Sequence, residues 1–434
     1  MVVRDESLSE AFRTVKIPPR SSLLRKVLAF MGPGFLISVG YMDPGNWATD
    51  LAAGSGYGYA LLWVILLANI VAILFQHLCV RLAVATGKDL AETCRDRYPP
   101  VVRRFLWVSA QLAIIAMDLA ELLGSAIALQ LLFGIPLLWG AVITALDVLL
   151  LLALERLGMR WLEALVLTLI LTIAGCLAYE LLLAKPDLAA VAGGFVPSTQ
   201  LLRDPGMLFV ALGLLGATVM PHNLYLHSAL LRPRAQGDSA VRHESIRFGT
   251  LDCTAALGFA FFVNAGLLVL SATLFHAPGQ APVGDIREAC QLLEGALGTA
   301  LASTLFAVAL LASGQNSTIT GTLAGQIVTE GFLGFRANSW HVRLATRLLA
   351  LVPAIAVIAL AGEGAVGDLL LWSQLILSFQ LGFACWPLVR ATSDATLMGE
   401  FVAPRWIASL GWTATTVIVA ANTWLIVSYF IGYQ

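Results

Sequence analysis

The chain has 434 residues, of which 59% are hydrophobic and only 12% charged. A soluble domain carries roughly twice that charged fraction, and a large soluble core would not need apolar runs of about twenty residues at repeated intervals. The formal net charge of −1 gives no reason to expect nucleic-acid binding, and the six cysteines are scattered without a CxxC pair, which argues against a disulfide framework or a thiolate zinc site.

Residues 1–20 are polar and charged, with no apolar core or cleavage signature, and read as a cytoplasmic tail rather than a signal peptide. Eleven apolar spans follow, at about 26–56, 58–82, 104–132, 137–155, 161–183, 207–231, 248–275, 296–328, 343–361, 367–389 and 407–430. The first, third, seventh and eighth are long enough to tilt or to extend beyond the bilayer. The loops test this count independently. Of the 26 Lys and Arg, all but Lys185, Arg203 and Arg287 fall on segments that alternate with a cytoplasmic N-terminus. The expected topology is N-terminus inside and C-terminus outside, as a multi-pass protein of the cell inner membrane.

The first span reads GPGFLISVGYMDPGNWATDLAAG, with Asp43, Pro44, Gly45 and Asn46 in its middle. Proline lacks an amide hydrogen and glycine stabilises a helix poorly, so the helix should break there. A carboxylate at that depth needs a cation, a proton or water. An outer loop between two short helices is the alternative, but the flanking apolar pieces are too short to cross and return.

In the third span Asp118 and Glu121 are three residues apart and share one helix face. Two adjacent acids in an apolar medium tend to retain a proton, which suits a relay. Pairing with Arg343 or Arg347, near the start of the ninth span, is the plainer reading, and the two are compatible.

The sixth span, MLFVALGLLGATVMPHNLYLHSALL, is interrupted at Met220, Pro221, His222 and Asn223. Unwound backbone near Gly40 and Ala217 would offer carbonyl oxygens, tolerable at membrane depth only where they line a cavity or bind something. With Asp43 and Asn46 as oxygen donors, Met220 could add a thioether, which suits manganese, ferrous iron and their neighbours better than magnesium or calcium. A lone methionine in an apolar helix is usually packing, but the place of Met220 immediately before Pro221, opposite a second break, favours the ligand reading. His222 and His227 could be ligands, proton carriers or hydrogen-bonded structural residues. They lie five apart, about 140° around a helix, which favours proton handling or gating over shared ligation.

The eighth span carries Asn316, Thr320 and Gln326 among small residues suited to close packing. The tenth holds Gln374 and Gln380, amides that should face the bundle interior, with Gln374 placed to complete a dehydrated ion's shell. Breaks in spans one and six, in halves of opposite membrane sense, point to a secondary transporter with inverted repeats. The expected organisation is a first repeat over 21–185 (spans one to five), an extracytoplasmic loop over 186–206, a second repeat over 207–390 (spans six to ten) and an additional span within 391–434.

DPGN at 43–46, MPHNLYLHS at 220–228 and GQNSTITGTLAGQIVTEGF at 314–332 resemble the natural-resistance-associated macrophage proteins, over roughly residues 21–430. That resemblance implies an all-α polytopic membrane protein of the LeuT-like fold, with two inverted five-helix repeats and discontinuous helices one and six. It implies proton-coupled import of divalent transition metals (Mn2+ or Fe2+ as transported substrate), with no cofactor and no enzymatic reaction. By residue it implies metal binding at Asp43, Asn46, Met220 and the Ala217 carbonyl, with Gln374 joining in an occluded state. Asp118, Glu121, His222 and His227 look like proton-path or gating residues. Where this chain has Gly40 the family often has alanine, and Gly382 stands where it often has proline. A sodium- or proton-coupled amino-acid transporter of the same fold is the alternative. No phosphate loop, nucleotide fingerprint or HExxH is present for an enzyme.

Overall fold

The computed structural model describes residues 32–147, 159–235, 237–277, 282–334 and 339–431, and every regular element among them is helical. The expected tail at 1–20 lies outside the described residues. Seven helical stretches among them are long and apolar enough to cross a membrane, the first of which, Pro44–Thr86, joins the second half of the first predicted span to the whole of the second. Pro33–Met42 and Leu344–Leu360 are shorter apolar helices.

The first predicted span is two pieces. α1 (Pro33–Ser38) runs into a 3-10 turn at Gly40–Met42, and α2 (Pro44–Tyr57) starts afresh after Asp43. α3 (Leu62–Thr86) is the second span, and α4 (Leu90–Arg97) is a short helix beyond its end. α5 (Pro100–Phe133) and α6 (Leu137–Ala145) follow, then α7 (Met159–Ala184) and α8 (Leu188–Gly193). The sixth span is again split, into α9 (Pro205–Thr218) and α10 (Pro221–Leu230). The remainder comprises α11 (Ser239–Phe275), α12 (Ile286–Leu297), α13 (Ala300–Leu333), α14 (Ser339–Leu360), α15 (Val366–Thr392), α16 (Ala395–Met398) and α17 (Arg405–Ile431).

Three helices depart from the apolar pattern for local reasons. α11 begins at Ser239, nine residues before the predicted span, because Asp238 caps it by accepting from Val241 N and its first turns are polar. α4 is announced by a reciprocal capping box between Asp89 and Glu92. α12 is amphipathic, burying Ile286, Ala289, Cys290 and Leu293, and falls below any hydropathy threshold for a span.

α5 and α13 pack along each other through glycines. A Cβ on Gly314 would lie 2.1 Å from Ser125 Oγ, and one on Gly321 would lie 2.3 Å from Met117 Cε. Gly124 of α5 is likewise pressed against Pro44 at the head of α2. The small residues of the eighth span therefore let α5 approach α13 closely, and Gly124 lets α5 approach the first break.

Candidate metal-transport site

At the first break the residue order dictates the geometry. Asp43 is extended (φ −75°, ψ 166°) and caps α2, its Oδ1 accepting from Asn46 N at 2.7 Å, while Pro44 fills the first helical position. Pro44 stands four residues after Gly40 and so supplies no N–H to the Gly40 carbonyl. The second break repeats the device. Pro221 stands four residues after Ala217, and Met220, at φ −2° and ψ 107°, leaves helical geometry between α9 and α10.

Two side chains bring the breaks together. Gln374 of α15 lies between them: a Cβ on Gly45 would fall 1.8 Å from its side-chain Nε2, and one on Gly216 would fall 2.3 Å from its backbone carbonyl oxygen. Asn223 of α10 donates through Nδ2 to Ile37 O of α1 (3.3 Å) and to Met220 Sδ (3.7 Å). Met220 itself packs on Ala116, Met117 and Leu377. Asp43, Met220, Ala217 and Gln374 are each 0% exposed. Asp43 Oδ2, Asn46 Oδ1, Asn223 Oδ1 and Gln374 Oε1 are buried with no hydrogen-bond partner. Buried acceptors are almost always satisfied, so these four oxygens around one pair of breaks are free to meet a cation, a proton or water.

The donor set is poor in charge. Among the described residues no group of three or more His, Cys, Asp or Glu side chains is placed to hold a metal. What the breaks offer is one carboxylate, amide and backbone oxygens, and a thioether.

Beside the site, Arg347 of α14 is buried (1% exposed) among acids. Its Nη1 lies 3.3 Å from Glu121 Oε2 and 3.6 Å from Asp118 Oδ1, and its Nη2 lies 3.3 Å from Asp147 Oδ1. Thr318 Oγ1 accepts a short hydrogen bond from the same Nη2. The expected pairing thus involves Arg347. The Arg343 side chain lies outside the described residues. Sequence reasoning missed Asp147, although its depth within the predicted fourth span was the available signal.

His227 shares a 2.8 Å hydrogen bond between Nδ1 and Gln76 Oε1, and Gln76 Nε2 donates to the Tyr41 hydroxyl at 2.8 Å. This chain ties α10 to α3 and to the turn of the first break. Neither ring nitrogen of the buried His222 has a hydrogen-bond partner. Sequence reasoning missed Gln76, Tyr41 and Asn223 as parts of one polar layer. It also missed Asp50, a 1% exposed acid on α2 whose Oδ2 has no hydrogen-bond partner.

α4 clasps the end of α10. Leu90 N donates to Ser228 Oγ (3.0 Å), and Arg232 meets Asp89 Oδ2 (3.3 Å) and Glu92 Oε1 (3.2 Å). Burial, with Glu92 alongside, pushes the Asp89 carboxyl up to about 7 from its ordinary 3.8. The folded protein holds this proton more tightly than the unfolded chain, so this contribution to stability is complete below the ordinary value and is lost as pH rises through the folded one. Asp89→Asn keeps a capping oxygen but no titration. Its melting temperature is expected to rise relative to the parent between about pH 5 and about pH 8. A pH-independent difference between the two would show that Asp89 does not titrate in this range.

Residues 34–428 match the profile of the natural resistance-associated macrophage protein-like family. The chain is 54% identical over 428 residues to the divalent metal cation transporter MntH of Nostoc sp., covering 98% of this chain and 97% of that one. Among solved structures, the Eremococcus coleocola manganese transporter superposes with a TM-score of 0.89 at 38% identity, over 98% of this chain and 92% of that one. MhsT in complex with L-phenylalanine superposes with a TM-score of 0.59 at 15% identity, over 91% of this chain and 98% of that one, a likeness of fold alone. The expected LeuT-like architecture with broken first and sixth helices is the one observed.

Proposed function

The chain belongs to the natural resistance-associated macrophage protein-like family, and on that basis we propose that it imports divalent transition-metal ions, Mn2+ and Fe2+, together with protons across the cell inner membrane. The observation that carries this reading is the meeting of two broken helices where Asp43 Oδ2, Asn46 Oδ1 and Asn223 Oδ1 are buried without hydrogen-bond partners and the Met220 sulfur sits at the second break. Asp43, Asn46, Met220 and the Gly40 and Ala217 carbonyls receive the ion from the outside, and Gln374 closes over it. The ion is the transported substrate, not a resident cofactor.

Protons travel through the acids near Arg347. One guanidinium facing Asp118, Glu121 and Asp147 balances one carboxylate, and exchangeable protons neutralise the rest. His222 and the Gln76–His227 pair gate the inner half. The topology is eleven spans with the N-terminus cytoplasmic and the C-terminus outside, two inverted repeats over 21–185 and 207–390, and span eleven outside the repeat.

The test is metal uptake by proteoliposomes under imposed pH gradients with a panel of divalent ions. Inward-acid gradients that leave Mn2+ uptake unaltered would remove proton coupling. Met220→Ala is expected to keep part of the Mn2+ uptake while Ca2+ or Mg2+ competes better, because the advantage of sulfur is relative. Unchanged competition by hard ions would remove the role given to the thioether. An amino-acid transporter of the same fold would bring its substrate's carboxylate against Asp43. Radiolabelled amino-acid uptake indifferent to Mn2+ would favour that reading instead.

A further inference from the structure

Met220 has three rotatable bonds, and a flexible thioether selects an ion only if something fixes where its lone pairs point. Packing on Ala116, Met117 and Leu377 confines the side chain, but apolar walls do not orient a sulfur. Asn223 does. It is 0% exposed on α10, three residues after Met220, with Nδ2 3.7 Å from Met220 Sδ and 3.3 Å from Ile37 O. Ile37 lies near the end of α1, and its carbonyl, which the Val39 N–H also meets as the helix ends, has a second lone pair to offer. A carbonyl needs a donor, so the amide nitrogen, not its oxygen, faces Ile37, and the same NH2 group reaches the sulfur. The amide has little freedom to turn, because a Cβ on Gly40 would fall 2.6 Å from Nδ2.

We propose that Asn223 is a positioning residue for metal selectivity: its amide occupies one face of the Met220 sulfur and directs the other toward the ion, and it does so while α1 is docked on α10. The proposal rests on the reading of Met220 as a ligand. It adds that the sulfur's aim depends on a hydrogen bond to the inner half of the first broken helix. When α1 swings aside, the amide loses Ile37 O and the sulfur loses its anchor, which favours release inward.

The experiment is a double-mutant cycle in proteoliposomes, reading the ratio of Ca2+ inhibition constant to Mn2+ KM for the parent, Asn223→Leu, Met220→Ala and the double variant. Asn223→Leu, similar in size but without a donor, is expected to lower that ratio about three- to tenfold, the worth of one hydrogen bond. The double variant should be no worse than Met220→Ala alone, because both changes remove the same contact. A purely structural role would lower Mn2+ uptake without moving the ratio, or would make the two effects multiply, and either result overturns the proposal. If Met220→Ala leaves the ratio unchanged, the ligand reading itself fails. If only Asn223→Leu does so, the failure belongs to the positioning role. Should Asn223→Leu not assemble, Asn223→Ala, which also lacks the donor, is read by the same ratio with the same expectation.

Discussion

Asp43→Asn is expected to lower metal uptake by about two orders of magnitude or more, the scale on which removing one charge from a buried charged contact is felt. The same variant should fold normally. Asp43 has separate tasks on its two oxygens: Oδ1 caps α2 through Asn46 N, and Oδ2 is buried without a partner. Asparagine caps a helix about as well as aspartate, so stability in detergent should shift by less than about 1 kcal/mol. Proteoliposome uptake and a melting curve on the same preparation separate the two. Parental uptake by a well-folded Asp43→Asn would take away the centre of the site.

Arg347→Met should have the largest effect on stability. The guanidinium is the cation that Asp118, Glu121 and Asp147 share, at 3.6, 3.3 and 3.3 Å. Breaking a buried pair from one side costs about 3–5 kcal/mol, because the remaining charge has nowhere to go. Here it has one escape, since a proton can discharge each carboxyl. The loss should therefore be greatest at alkaline pH and shrink as the medium is acidified. Melting temperatures of parent and variant across that range measure it. A gap that stays constant with pH would mean that these acids do not exchange protons with the medium.

The breaks were legible because proline and glycine act through the backbone, locally and independently of what surrounds them. Asp43-Pro44 reads as a cap followed by a first helical residue, and that is the structure found. Met220-Pro221 differs in lacking a capping side chain and in the backbone angles of its first residue. The pairing of Asp118 and Glu121 with Arg347 was also open to the sequence, since buried acids in an apolar chain with few cations have few possible partners. Gln76 and the contacts of Asn223 were not, because whether a polar residue in a helix faces lipid or the interior depends on neighbours from distant segments. α12 escaped for a related reason: its four buried residues are set by packing, and its composition is that of a surface helix.

The missing side chains at Gly45, Gly216 and Gly124 have a bearing on which ions can pass. At these three points backbone and side chains of α2, α9, α15 and α5 come closer than any methyl group would allow. With the helices this close a cation surrounded by six waters has no room between the breaks, so an ion held there would have to shed its water, which magnesium gives up reluctantly.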